Sequence, residues 1–414
     1  MSIVNKKAYI ASCMSSSCQA VTINLPALLF VMFNVKYGVN YTQLGALVLI
    51  SFIIQLLVDL IMVKIADKLS PKLIVSVSLL TSILGIVIFT LSPNIFGENI
   101  YIGLLIGVGI ASIGAGALET IVSPIVAYSS ENEPKAMNIA HSFYGWGQVA
   151  VVLLTTVALL IFGYDMWQII AVSWVILPLI AFIFWQFSDL SNLQKEEEST
   201  DSHKKSILTQ PFFLLCILMI FGCGAVEQIV AQWSSAFMEA GLGIPKIYGD
   251  LFGTLMFALM LALGRMLIGS HISKDKVYVA MIISGVASAI CFVLMAFGGN
   301  ILACIGCAFA GFSISLAWPT SVSIASNKYP KAGTILFAFM AVGGDIGCSV
   351  GPYLTGLISD ISIQNGWMIF GNQNETGLRI GLAVGIIFAI IFAIVSFVLY
   401  KLDRRDRMID EKTT

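Results

Sequence analysis

The sequence predicts an all-α integral membrane protein whose twelve transmembrane helices form two pseudo-symmetric six-helix bundles. Three observations lead there. The 414 residues are 58% hydrophobic and only 11% charged, with a mean hydropathy of +0.93, whereas a soluble domain averages about 25% charged residues. The apolar residues fall in unbroken runs of about 20, the length a helix needs to cross a bilayer, rather than the alternating stretches of about ten that build a membrane barrel. The longest polar break, Ser188 to Ser206, stands midway with six runs on either side.

Taken in order, the first run is 8–34. It follows Lys6 and Lys7 with no separate short apolar core, so no cleavable leader is expected. Ser12, Ser15, Gln19 and Pro26 recur along it at helical spacing, with Asn24 on another face. Run two, 42–64, holds Asp59 near its end, and run three is 73–92. Runs four and five, 100–128 and 138–162, flank the most polar membrane stretch, Gly114 to Gln148, and run six is 166–187. The second half repeats the plan at 210–239, 248–270, 277–298, 300–327, 332–359 and 377–401. Residues 1–188 and 209–414 are thus expected as the two bundles, joined by a cytoplasmic linker at 189–208. The motif Asn132-Glu133-Pro134-Lys135-Ala136 returns as Lys328-Tyr329-Pro330-Lys331-Ala332 at the equivalent junction, 196 residues on. Two homologous halves are the economical explanation.

Charge position sets the orientation. With both termini in the cytoplasm, the cytoplasmic segments hold 19 Lys and Arg, and the outer segments only Lys36, Lys246 and Arg379. The expected location is the cell's inner (plasma) membrane. Glycines cluster at 107, 109, 114 and 116 and again at 343, 344, 347 and 351, where small residues let helices approach closely.

Several classes are excluded or disfavoured. A net charge of −1 and a pI near 6.3 give no basic face for nucleic acid. No phosphate-binding G-x-x-x-x-G-K-[ST] motif occurs, so no ATP motor is present. The eight cysteines read as packing residues, and the Cys304–Cys307 spacing lacks a second pair or a nearby histidine for zinc. No metal or cofactor is expected. His141, His203 and His271 are too dispersed for a catalytic centre.

Function is therefore sought among the polar residues inside the runs. An ionised carboxylate at mid-bilayer costs roughly 2.5 to 3.5 kcal/mol on insertion scales, so Glu119, Glu227 and Asp345 are candidates for proton coupling. Asp59 with Lys64, and Arg265 with a nearby loop acid, read instead as structural pairs near helix ends. Asn138, His141, Gly145 and Gln148 share one face of run five. That face suits an aqueous cavity, where His141 is expected as a proton partner. Run seven offers Gln228 and Gln232 four residues apart. Amides both donate and accept hydrogen bonds, and aromatic rings cover apolar ring faces, as hydroxyl-rich solutes require. Gln19, Asn24, Asn138, Gln148, Gln228 and Gln232, with Trp146, Trp233 and Trp318, form the expected solute-binding set.

Two bundles with a charged central loop resemble the major facilitator superfamily. The loop Ile65-Ala66-Asp67-Lys68-Leu69-Ser70-Pro71-Lys72 looks like a degraded copy of its signature, which implies a conformational gating role for Asp67 and Lys68. Leu118-Glu119-Thr120, Pro124, Asn138, Ala140, Ser142-Phe143 and Gly147 resemble the fourth and fifth helices of the fucose/proton symporter family. That resemblance implies a proton-coupling role for Glu119 and a place near the sugar for Asn138. It also implies an acid in the first helix, which residues 8–34 lack, so coupling falls to Asp345 or Glu227 as well, or is absent.

The expected function is secondary active uptake of a monosaccharide or related small polar solute with protons, sodium remaining open, by a monomer that alternates its access. A drug or metabolite exporter of the same fold is the nearest alternative. A membrane sensor is the alternative outside transport.

Overall fold

A computed structural model describes residues 5–65, 68–128, 133–188, 207, 209–268, 276–329 and 334–413. Asp67, most of the expected linker and much of both repeated junctions lie outside the described residues, as do the side chains of Asn138 and His141. The chain crosses back and forth as α1 (Lys6–Tyr37), α2 (Tyr41–Ile65), α3 (Pro71–Phe96), α4 (Ile100–Tyr128), α5 (Glu133–Phe162) and α6 (Tyr164–Gln186). After the linker come α7 (Pro211–Gly241), α8 (Lys246–Leu267), α9 (Val277–Phe297), α10 (Asn300–Lys328), α11 (Thr334–Gln364) and α12 (Gln373–Thr413). Among the described residues, eleven stretches are long and apolar enough to cross a membrane, and one of them, 71–122, contains most of the antiparallel pair α3 and α4. The path therefore makes the twelve crossings that the hydropathy pattern predicts.

Local chemistry starts and breaks these helices. Ser70 caps α3 by accepting from the Leu73 amide at 3.2 Å, with Pro71 at the first helical position. Asn40 and Gln43 cap the start of α2 reciprocally, at 2.8 and 3.0 Å. Pro26 removes a backbone donor and interrupts α1 with a 3-10 turn at Pro26–Leu29. Gly38, at φ 68°, ends α1 in the left-handed region that other residues avoid.

Packing follows the glycines. On α4, Gly107 and Gly114 meet α3 while Gly109 and Gly116 meet α2, so one helix packs closely on two neighbours. On α11, Gly343, Gly347 and Gly351 let α7 approach and Gly344 lies under the Trp318 ring. A Cβ at Gly107, Gly114, Gly343, Gly344 or Gly347 would overlap the neighbour and at the others would crowd it, and close van der Waals contact is what holds helices together in lipid. Large apolar side chains such as Ile290, Phe297 and Ile394 face outward, as a hydrocarbon surround allows.

The bundles meet chiefly along α2 and α11, which run antiparallel past one another. At the end opposite the termini, Asp360 of α11 accepts from the Tyr41 and Thr42 amides and the Thr42 hydroxyl, at 3.2, 2.6 and 2.6 Å. Thr156 of α5 donates to Asp250 of α8 at 2.6 Å. Trp233 of α7 packs on Phe30 and Tyr41, its ring 5.3 and 5.9 Å from theirs. These contacts close that end.

Candidate functional site

Polar side chains inside the membrane span gather between the two bundles. From α1, Gln19 donates to Glu119 of α4 at 2.7 Å. One and a half turns further along α1, Asn24 is 2% exposed; it donates to the Ala20 carbonyl at 2.8 Å and accepts from Gln148 of α5 at 3.2 Å. Tyr144, one turn before Gln148, brings its hydroxyl to Asn24 as well. The spacing of Tyr144 and Gln148 puts both on the α5 face turned to α1. Gly147 makes this possible, since it lies directly on Ser17 of α1.

The second bundle supplies a matching set. Gln232 donates to Gln228 at 3.1 Å across one turn of α7, and both are buried. Gln232 also borders a cavity of about 10 Å³ shared with Thr22 and Ser51 of the other bundle, room for about one water molecule. Next to Gln228, Glu227 is bound by Arg265 of α8 at 3.1 Å, and Arg265 donates further to the Ser315 carbonyl at 3.2 Å. The expected pairing of Arg265 with a loop acid is thus corrected. A long cation on a membrane helix needs a counter-charge at its own depth, and α7 provides one.

Asp59 is a second correction. Lys64 is exposed while Asp59 is 2% exposed and faces away from it, toward Asp345 of α11 and Glu119 of α4. Asp345, 3% exposed, comes within hydrogen-bonding reach of Asp59. Both oxygens of Asp59 and Oδ2 of Asp345 have no donor among the described residues. The site thus includes Asp59 and Arg265, which sequence reasoning assigned to the scaffold. A signal for Asp59 was present: Ser51, Gln55 and Asp59 follow at four-residue steps, a polar stripe on one face of α2. Gln55 donates to Ser51, and Ser51 bonds Ser112 of α4 at 2.7 Å.

The remaining candidates separate by position. Trp318 rests on Gly344, beside Asp345. Trp233 is fully buried, with its indole N–H on the Pro352 carbonyl at 3.0 Å and its ring in the inter-bundle aromatic contacts. Trp146 is 45% exposed. Lys68 is exposed beyond the end of α2. A groove of about 430 Å³ between α9 and α12 is lined by Val286, Ile290, Ile390 and similar side chains, so it suits acyl chains rather than a polar solute. Among the described residues no cluster of His, Cys, Asp or Glu has metal-binding geometry.

Residues 9–352 match the family model of the Major Facilitator Superfamily. No curated protein matches the chain. Among solved structures, a variant of the E. coli fucose:proton symporter FucP is similar at 17% identity, with 94% of this chain and 98% of that one covered and a TM-score of 0.64. The nucleoside transporter NupG is similar at 14% identity, with 95% and 97% covered and a TM-score of 0.69. A bacterial homologue of the human lysosomal transporter Spinster, in an inward-facing and unoccupied conformation, is similar at 15% identity, with 95% and 96% covered and a TM-score of 0.70. At these identities the likeness is one of fold.

Proposed function

Since the chain belongs to the Major Facilitator Superfamily and is therefore a membrane transporter rather than an enzyme, we propose that it takes up a small polar solute, a monosaccharide or related polyol, together with protons. The observation that carries this reading is Glu119. It lies within a membrane helix, half-buried, and its bonded partner is the Gln19 amide at 2.7 Å, with no basic partner among the described residues. An amide serves a carboxyl group in either protonation state, whereas a bound Arg would hold it ionised. Glu119 is free to take and release a proton as access alternates.

The solute is held by amides from both bundles: Gln19, Asn24, Asn138 and Gln148 on one side, Gln228 and Gln232 on the other. Trp318, Trp146 and Trp233 supply apolar cover. Binding to both bundles at once is what lets a solute pull them together, and protonating Glu119 removes the charge that would oppose its enclosure. Asp345, which faces Glu119, and His141, on the face of α5 that the sequence makes polar, are the further members of the proton path, whereas Glu227 is engaged by Arg265. By the family resemblance, Asp67 and Lys68, in the loop after the cytoplasmic end of α2, brace that end when it is the one that closes. The 19 to 3 division of basic residues supports cytoplasmic termini in a plasma membrane.

A proton crossing 100 mV delivers about 2.3 kcal/mol, which sustains roughly 50-fold accumulation of a neutral solute at one-to-one coupling. The test begins with a thermal-shift screen of sugars, polyols and nucleosides, since a ligand at 100 times its Kd stabilises by about 2.7 kcal/mol. The best ligand is then offered to proteoliposomes under an inward proton gradient. Solute-dependent alkalinisation outside and accumulation inside are expected, with Glu119→Gln losing accumulation and keeping exchange. Uptake that ignores the gradient, or a Glu119→Gln variant that still accumulates, overturns the coupling; solute-driven proton entry during efflux marks an exporter.

A further inference from the structure

The seam between α2 and α11 contains two carboxyl groups that no cation neutralises among the described residues. Asp59 comes from one bundle and Asp345 from the other, each almost fully buried, and their side chains are within hydrogen-bonding reach. Two carboxylates can only accept hydrogen bonds. A bond between them exists only when one of them carries a proton.

The groups around the pair do not change that requirement. From α4 comes Glu119, another acid, which Gln19 of α1 engages. From α7 comes Glu227, already bound to Arg265 of α8. α10 presents the Trp318 ring against Gly344. On α2 itself, Lys64 is exposed, and the buried Oε1 of Gln55 lacks a donor of its own. Among the described residues, no cation forms an ion pair with Asp59 or Asp345.

We propose that Asp59 and Asp345 form a proton-binding site, in which one proton is shared across the seam while α2 and α11 are packed and is released when they separate. The two halves of the site sit on the two bodies whose relative motion constitutes transport, so the site exists in full only in one arrangement. Linkage fixes the sign: a proton that binds the packed seam more tightly also stabilises it, and raising the pH leaves two like charges facing each other and favours separation. Glu119, half-buried beside the pair, gives this proton a neighbour through which to leave.

The proposal rests on the transport reading only in that the seam must move, and its test needs neither solute nor gradient. The intact protein in phosphatidylcholine bilayers is studied by infrared difference spectroscopy near neutral pH, following the C=O stretch of protonated carboxyl groups. One band is expected that Asp59→Asn and Asp345→Asn each remove or shift and that Glu119→Gln leaves in place. In the unaltered protein, that band should vanish as pH rises, together with faster amide exchange in α2; this measurement stands even if a variant does not fold. Absence of the band, its indifference to both Asp59→Asn and Asp345→Asn, or its loss on adding sodium at fixed pH overturns the proposal, the last showing a metal cation in the proton's place. Failure of Glu119-dependent uptake would leave the band untouched, so the two readings fail separately.

Discussion

Arg379 and Asp59 are both charged side chains sealed among membrane helices, yet their surroundings give them opposite meanings. Arg379 donates to the Met295 and Gly298 carbonyls at 3.0 and 2.8 Å and to Glu375 at 3.0 Å. A cation so fully satisfied fastens α12 to α9. Asp59 has no such partners among the described residues. The Glu227–Arg265 pair falls between them, with side-chain exposures of 9% and 23%. Removing one partner of a buried pair costs about 3 to 5 kcal/mol because the other charge is stranded. With Arg265 still partly exposed, Arg265→Gln should cost less, about 2 kcal/mol, seen as a lowered unfolding temperature in detergent. The double variant Glu227→Gln with Arg265→Gln should recover part of that loss; no recovery would show that the two side chains act independently. The place of Glu119 inside a membrane helix was legible in the sequence because the apolar run around it is long enough to span a bilayer. Asp59 was misread because spacing identifies the face of its own helix but not which helix stands opposite, and here the opposite helix is some 290 residues away.

At the scale of the element, the start of α2 shows how one bundle completes the other. The first amides of a helix have no partner within it, and at α2 those of Tyr41 and Thr42 are satisfied by Asp360 of α11. Opening this end must strip them. A cap is worth about 0.5 to 2 kcal/mol, so Asp360→Ala should favour the opened end roughly twofold to thirtyfold. Hydrogen exchange at the Tyr41 and Thr42 amides would speed up accordingly, and unchanged exchange would show that Asp360 does not hold the end shut. The twelve crossings themselves were readable because a bilayer fixes the length of an apolar helix. The π-helical turns at Phe237–Gly241 and Asp250–Leu255 were not. They depend on partners from elsewhere in the fold: Asp250 is fully buried and bonded by Lys246 at 2.7 Å, by the Ser235 hydroxyl, and by Thr156 from the other bundle. No periodicity in the α7 or α8 sequence encodes that company.

At the scale of the molecule, one end is closed by a small number of inter-bundle contacts, and in a transporter the balance between the closed and open arrangements must be light enough for a bound solute to tip it. Trp233 makes two of these contacts, with Phe30 and Tyr41, while its N–H bond to Pro352 stays within its own bundle. Aromatic pairs contribute about 0.5 to 1.5 kcal/mol each beyond area burial. Trp233→Ala should therefore shift the balance toward opening by about 1 to 3 kcal/mol, or roughly fivefold to a hundredfold or more, and Trp233→Phe by much less. Seven of the eight native cysteines are buried and Cys304 is half-buried, so a cysteine introduced at Thr22, beside the small inter-bundle cavity, can be followed against a weak background. A membrane-impermeant maleimide applied from the side opposite the termini should label Thr22→Cys faster when Trp233→Ala is present, and near the original rate with Trp233→Phe. Equal rates in all three backgrounds would mean that the closing of this end rests on Asp360 and Asp250, and that the Trp233 contacts contribute to the folding of the bundles rather than to their motion.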